Sequence, residues 1–490
     1  MIILMVCIIV KKIPINIFWF KRDLRILDNK PLYEASKKNR KLLLVYFLEE
    51  NLINDPHYSN FHWDFIKQSI EDINISLGKK SILFIRCDPT EGLKKISEIY
   101  EIKSIYSHIE TGIELTYVRD LNVKKYCDSN YIKWFEYEKN YVRRGLKNRK
   151  NWIRGWNEYV KSPLLNIDIE KLNILNIKFL SSKFNIIDTK TKINKRLQPG
   201  GTSNGLKYLK TFLDVRNKNY NQNISKPLES RSSCSRLSPY FSWGNLSTRY
   251  VWQKAIKSIK KGNSSFQIRS FLSRLRWNSH FIQRFEMEPS IEFGSVNRGY
   301  EELKKKKIKK YYESWENGKT GYPLVDASIL CLKSTGYLNF RMRSMIVSFL
   351  THHLWQPWQS ASHFLAQNFL DFEPGIHYSQ LQMQAGETGV NTIRIYNPTK
   401  NAFEKDKKAN FIKKWLPQLR EVPIPLIYEP WKMSEIEQKL FNCEIGKDYP
   451  KPIVDILITR KFAIEKLWGL RKIKMVKDEK KRILEKHINS

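Results

Sequence analysis

Apolar residues gather in short runs along the first 140 positions: 14–20 (PINIFWF), 42–48 (LLLVYFL), 81–86 (SILFIR), 102–107 (IKSIYS) and 131–136 (YIKWFE). The first two run with almost no polar interruption, the pattern of strands covered on both faces. Between the runs, residues 31–39, 60–77, 90–100 and about 113–127 carry helical spacing. The second of these places Phe61, Phe65, Ile66, Ile70 and Ile73 on one face. Apolar runs alternating with amphipathic helices predict a parallel, doubly wound α/β sheet. No G-x-G-x-x-G follows any run, so a nicotinamide site of the Rossmann kind is not supported.

The pattern changes after residue 140. Residues 141–200 are rich in Lys, Asn, Ser and Ile with weak periodicity. They predict a long connection, partly helical near Trp152 to Val160, wrapping over the protein. From 201 onward only helical spacing appears, at 201–215, 265–285, 324–336, 339–355 and 361–370. The expected organisation is an α/β domain at 14–140, a linker at 141–200, a helical domain at 201–435 and a basic helical tail at 436–490. That tail is expected either as a solvated amphipathic helix or as a site of phosphate contact. The first ten residues, MIILMVCIIV, are too short to span a bilayer and lack the features of a secretory signal. They read as a ragged extension, and no other stretch has the length of a membrane span.

Charge narrows the partners. Lys and Arg number 86 against 49 Asp and Glu, a formal net charge of +37. Such an excess favours polyanions, although the chain's general richness in Lys, Ile and Asn contributes to it. The six cysteines are scattered without C-x-x-C, which excludes a zinc ribbon or disulfide framework and fits a reducing, cytoplasmic setting. No H-E-x-x-H is present, so no metal catalyst is expected.

The densest chemistry lies at 371–398, DFEPGIHYSQLQMQAGETGVNTIRIYNP, which is nearly free of Lys. Asp371, Glu373, His377 and a series of amides are interleaved with glycines that let a backbone approach a ligand. Ahead of it, Asn339, Arg341 and Arg343 open an otherwise apolar helix. A cation there needs a partner, and Asp371 is the candidate. Residues 232–247, SSCSRLSPYFSWGNLS, offer hydroxyls and backbone N–H groups for a phosphate, or a simple helix cap.

Taken in order, WFKRDLRILDN (19–29), GGTSNGLKYLKTFL (200–213), SRLSPYFSWGNLS (235–247), GKTGYPLVDAS (318–328), GYLNFRMR (336–343), RIYNP (394–398) and FIKKWLPQL (411–419) resemble the motifs of the photolyase/cryptochrome family. The resemblance implies an α/β antenna domain, a long linker and an all-helical domain that holds FAD. It implies FAD-phosphate contacts at Tyr220, Ser235, Leu237 and Ser238, and an Arg343–Asp371 pair beside the flavin. It further implies a second carboxylate at Glu373 and a flavin-facing His377. In such a protein a reduced flavin passes one electron, on illumination, to a flipped-out pyrimidine dimer. Damaged DNA is the implied partner and a monomer the implied state.

The chain departs from the best-known repair pattern. Arg274 stands where that pattern has a Glu that bonds the pyrimidine. Trp277 matches one pocket aromatic, and Met383 replaces the second. Along the family's tryptophan chain, Trp358 matches the middle member, Leu381 occupies the flavin-proximal position, and the outer one falls in the lysine run near 305. Trp277, His377 and Trp358 are thus the expected photochemical residues, with Arg274, Trp277 and Met383 on the DNA side. The expected activity is a light-driven photolyase; the alternatives are a cryptochrome-like photoreceptor or a flavoprotein without photochemistry. HIETG (108–112) resembles a loop facing an antenna chromophore of folate or deazaflavin type, with Glu110 as its contact or as a helix cap.

Overall fold

The computed structural model describes residues 12–487 apart from residue 193. The apolar N-terminal decapeptide lies outside them. The α/β domain runs β1 (Ile13–Trp19), α1 (Lys30–Ser36), β2 (Lys41–Leu48), α2 (Asn60–Ser76), β3 (Ile82–Arg86), α3 (Pro89–Ile99), β4 (Tyr100–His108), α4 (Glu114–Ser129) and β5 (Lys133–Tyr137). The five strands form one parallel sheet in the order β3-β2-β1-β4-β5, with Ile17 in register with Leu43 and Ile105. Alternate residues of β1 serve different cores. Ile15, Ile17 and Trp19 pack with Leu93, Ile96 and Val123 of α3 and α4. Phe18 and Phe20 point the other way, into a core continuous with the helical domain. Both faces are therefore covered, which is why the strand sequences lack polar alternation.

The connection is packed tightly. In α5 (Trp152–Lys161), Trp152 and Trp156 donate their indole N–H to Gln283 and Ser279, at 3.2 and 3.1 Å. Further on, the chain runs along the β2–β3 side of the sheet. Leu42 donates to the Asn173 carbonyl (2.8 Å), Leu175 to Leu42 (2.9 Å) and Ile187 to Phe84 (2.8 Å). Leu175, Ile177, Leu180 and Phe184 are buried there.

In the helical domain the site is framed by α6 (Thr202–Asp214), α7 (Ser265–Met287), α8 (Pro323–Thr335), α9 (Phe340–Ser348), α10 (Gln359–Asn368) and α11 (Pro374–Gln384). Gly336, at φ +63°, closes α8 in the left-handed conformation. The single helix expected at 339–355 divides: α9 ends at Ser348 and a turn of π-helix follows at Phe349–His353. There Ser348 and His352 bond each other, Thr351 donates to the Val347 carbonyl, and His352 Nε2 bonds the Ala385 carbonyl. Helix α11 lies so close to α7 that a Cβ on Gly375 would come within 2.7 Å of the Ile282 backbone, so only glycine fits.

The tail forms α12 (Ile456–Arg471) and α13 (Lys474–His487). Helix α13 is amphipathic and turns one side to the rest of the protein. Val476 and Ile483 are buried, and Arg482 and His487 meet Glu288 at 2.8 and 2.7 Å. Among the described residues, no helix is long and apolar enough to cross a membrane.

Candidate functional site

Asn339 caps α9, its side chain accepting from the Met342 N–H. This starts the helix so that Arg343, one turn in, points toward the residues ahead of α11. There its Nη2 donates to both carboxylate oxygens of Asp371, at 3.0 and 2.9 Å. Its Nε donates to the Leu338 carbonyl (2.8 Å), and the guanidinium lies 3.9 Å from the Phe369 ring centroid. Asp371 is nearly buried, so the pair supplies the neutralising charge that a carboxylate there requires.

The backbone entering α11 is held from outside the helical domain. Arg22, just after β1, donates to the Phe372 carbonyl (2.6 Å) and the Ser242 carbonyl (3.1 Å), and its Nη2 lies 3.3 Å from Glu373. Ser59 and His62 of the α/β domain bond the carbonyls of Gln367 (2.6 Å) and Phe369 (3.0 Å). Trp243 and Ser242 donate to those of Leu370 and Asp371, both at 2.9 Å. Sequence reasoning missed this clamp. Its one signal is a cation, Arg22, directly following a buried strand. Glu373 therefore faces the α/β domain. Its second oxygen is buried without a partner, and burial raises its pKa above the ordinary carboxylate range.

His377 lies on α11, one turn beyond Glu373. Its Nε2 bonds the Ser362 carbonyl at 3.0 Å, and burial pushes its pKa down to about 3. The ring is thus neutral, with Nε2 donating and Nδ1 left as an acceptor. Trp358 is fully buried and donates to Ser295 (3.3 Å); its ring stands edge-on to Tyr378 at 6.1 Å. Leu381 is buried and Met383 half-buried. On α7, Trp277 is half exposed and Arg274 exposed, the latter 5.9 Å from the Phe340 ring. Helices α7 and α11 run alongside each other from the Gly375–Ile282 contact to a Tyr378–Phe285 stack. This sets Trp277 and Met383 on the order of 20 Å apart along the axes, at opposite ends of the paired helices.

The turn at 234–238 tests whether FAD fits. Arg236 is left-handed (φ +58°) and Leu237 right-handed. That sequence of conformations turns successive N–H groups inward and makes an anion-binding concavity. The N–H groups of Ser235, Arg236 and Leu237 have no acceptor among the described residues, and neither do the half-buried hydroxyls of Ser235 and Ser238. The Arg236 Nε is buried without a partner. Tyr220 is buried nearby against Phe212 and Phe271. Together these supply the donors and positive charge that a diphosphate needs, and FAD fits the residues present.

Two cavities bear on the outer reaches of the site. One, about 680 Å³, is lined by Arg341, Arg394, Tyr396, Arg460 and Trp468, with no carboxylate. Arg341 bonds the Tyr396 hydroxyl (2.9 Å) and lies 5.0 Å from the Phe340 ring, which Arg274 also approaches, at 5.9 Å. The other cavity lies at the carboxyl ends of β1 and β2, where an open α/β sheet commonly takes a ligand. Ion pairs fill it. Arg119 reaches Glu49 (2.7 Å), Asp120 (2.8 Å) and Glu110 (3.2 Å), and Lys21 reaches Asp120 (2.7 Å). Glu110 caps no helix; it is part of this network. The remaining space is about 30 Å³, an order of magnitude below the roughly 300 Å³ of a small ligand pocket. A folate or deazaflavin does not fit there with the side chains so placed. Among the described residues no cluster suits a metal ion.

Residues 16–145 match the family model for DNA photolyase, and residues 271–469 match the one for the FAD binding domain of DNA photolyase. The chain is 26% identical over 473 residues to a deoxyribodipyrimidine photo-lyase of Alkalihalophilus pseudofirmus, covering 91% of this chain and 96% of the relative. It is 25% identical over 476 residues to a cryptochrome DASH of Gloeobacter violaceus, covering 89% and 92%. A solved cryptochrome from Synechocystis superposes with a TM-score of 0.80 at 22% identity, covering 92% of this chain and 99% of that one, a likeness of fold.

Proposed function

Because the chain belongs to the photolyase/cryptochrome family, we propose that it is a blue-light-driven, FAD-dependent DNA photolyase that splits ultraviolet-induced pyrimidine dimers. Bound FAD, reduced and excited by light, supplies the electron that opens the dimer. Donors at Tyr220, Ser235, Leu237, Ser238 and Arg236 hold its phosphates. Arg343, neutralised by Asp371, would border the ring, with Glu373 on the side of the α/β domain and His377 as a neutral, fixed neighbour. Trp277 offers the face on which a flipped lesion would stack, and Arg274 meets the lesion or its phosphate; Met383, at the far end of the paired helices, is not part of that pocket.

The observation that carries repair over signalling is the cleft of Arg341, Arg394 and Arg460, with Trp277 exposed on α7. A groove of guanidiniums with no carboxylate suits a phosphodiester strand, and an exposed aromatic suits a base turned out of it. The alternative, a cryptochrome-like photoreceptor without repair, is favoured by Arg274 in place of a pyrimidine-bonding carboxylate. The test is to reduce the flavin, add an oligonucleotide carrying a cyclobutane dimer, illuminate with blue light and follow the return of intact thymines. A dark sample and a 6-4 photoproduct run in parallel. Light-dependent repair of either lesion supports the photolyase. Repair of neither, with flavin bound and photoreducible, selects the photoreceptor.

A further inference from the structure

A chain of three side chains, two buried and the third, Asp55, partly exposed, joins the two domains behind α11. Tyr378 is 2% exposed, and its hydroxyl hydrogen-bonds Nε2 of His57. On the far side of that imidazole, Nδ1 lies 2.7 Å from Asp55 Oδ1. The carboxylate only accepts, so Nδ1 carries a proton, and in the neutral imidazole Nε2 then presents its lone pair to the phenol. Phe372 stacks on His57 (5.4 Å, 15°) and His363 meets it edge-on (4.6 Å), which fixes the ring. The phenol ring stacks on Phe285 (6.0 Å, 11°) and stands edge-on to buried Trp358 (6.1 Å) and to His377 (5.3 Å). A phenol donating to an imidazole that is itself backed by a carboxylate is a base-coupled electron donor. When one electron leaves the ring, the phenolic proton becomes strongly acidic, and a preformed bond gives it a place to go.

We propose that Tyr378 is the internal electron donor for flavin photoreduction in this protein, with His57 and Asp55 as its proton acceptor. This rests on the reading that the chain binds FAD. In the forward step one electron passes from the Tyr378 ring to the photoexcited oxidised flavin, directly or through the neighbouring Trp358. The Oη–H bond breaks as the proton moves to Nε2 of His57. A neutral tyrosyl radical and an imidazolium remain, the latter paired with the Asp55 carboxylate. Return of the electron and the proton restores the phenol. Tyr378 sits one turn before Leu381, whose alkyl side chain has no accessible oxidation, so the redox-active ring is displaced along the same helix. The burial that keeps Tyr378 a neutral phenol, by raising its pKa, would leave it hard to oxidise without that adjacent base.

The test begins with the absorption spectrum of the purified holoprotein. Absence of bound FAD overturns the flavin reading itself. With FAD bound, a blue flash is followed by transient absorption and by electron paramagnetic resonance. The expected signal is that of a neutral tyrosyl radical, formed more slowly in deuterium oxide. It is lost in Tyr378→Phe and strongly reduced in His57→Gln, whose amide takes no proton. Growth on ring-deuterated tyrosine narrows the resonance without any substitution, which covers the case of an unfolded variant. A tryptophanyl signal alone, unchanged by Tyr378→Phe or by tyrosine labelling, overturns the proposal while leaving FAD binding and repair untouched.

Discussion

Replacing Arg22 with Met probes the clamp between the domains. In the native protein its guanidinium, packed over Trp243, answers two backbone carbonyls and one oxygen of Glu373. Met fills similar space but leaves Glu373 buried with neither oxygen paired. Removing one partner of a buried ion pair costs about 3–5 kcal/mol. The charge of Lys139 also acts on Glu373 and offsets part of the loss, so a deficit of about 3 kcal/mol is expected. It depends on pH with a definite sign. Burial already raises the folded-state pKa of Glu373 above its ordinary 4.5, and losing Arg22 raises it further. An acid that holds its proton more tightly when folded loses stability as pH rises from its unfolded to its folded pKa. The deficit of the variant is therefore largest at neutral pH and shrinks as the pH falls toward 4.5. Urea unfolding followed by tryptophan fluorescence, at acid and neutral pH, measures it. A deficit equal at both values would refute the reasoning. So would a double variant with Glu373→Gln whose loss is the simple sum of the single losses to within about 0.5 kcal/mol.

Arg343→Leu should yield protein that has lost its flavin, read from the ratio of visible to ultraviolet absorbance, because Asp371 is left without its cation; full occupancy would remove the pair from the site. Trp277→Ala should weaken binding to lesion-bearing DNA by about 1–3 kcal/mol, one stacking contact, and unchanged affinity would show the lesion lies elsewhere. Arg394→Gln should lower the salt dependence of DNA binding by about one unit of slope; the same slope as wild type would put the phosphates outside the cleft. Glu49 is pushed up to about 7 by burial, so ionising it costs stability as pH rises through that range. Glu49→Gln should match the wild type in acid, and its advantage should widen up to about pH 7 and then level off; calorimetry across pH checks this, and parallel curves would count against it.

The sheet was legible because a strand buried on both faces has to be written as an uninterrupted apolar run, and Ile17, Leu43 and Leu44 are such residues. The helices followed from their spacing. The partner of Arg343 could be named from cost alone, since a cation at the head of an apolar helix is not left unpaired. What stayed hidden was contact across distance. His57 and Tyr378 are separated by 321 positions, and neither carries a local signal that it faces the other. The clamp on residues 367–372 is made mostly to backbone carbonyls, which every residue has, so no side-chain pattern marks it. Glu110 misled for a related reason. A carboxylate beside a turn looks free in sequence, and only the fold shows that Arg119, nine positions on, already holds it.

The strip of chain laid along β2 and β3 has a bearing on how the protein survives in a cell. A parallel sheet ends in a strand whose outer N–H and C=O groups invite any passing strand to join. Residues 172–187 occupy part of that margin and bury five apolar side chains in doing so. A protease cut within that stretch would touch none of the photochemical residues, yet it would expose a template for aggregation. The stretch with the least chemistry is therefore where loss of soluble protein, and not loss of activity per molecule, should first appear.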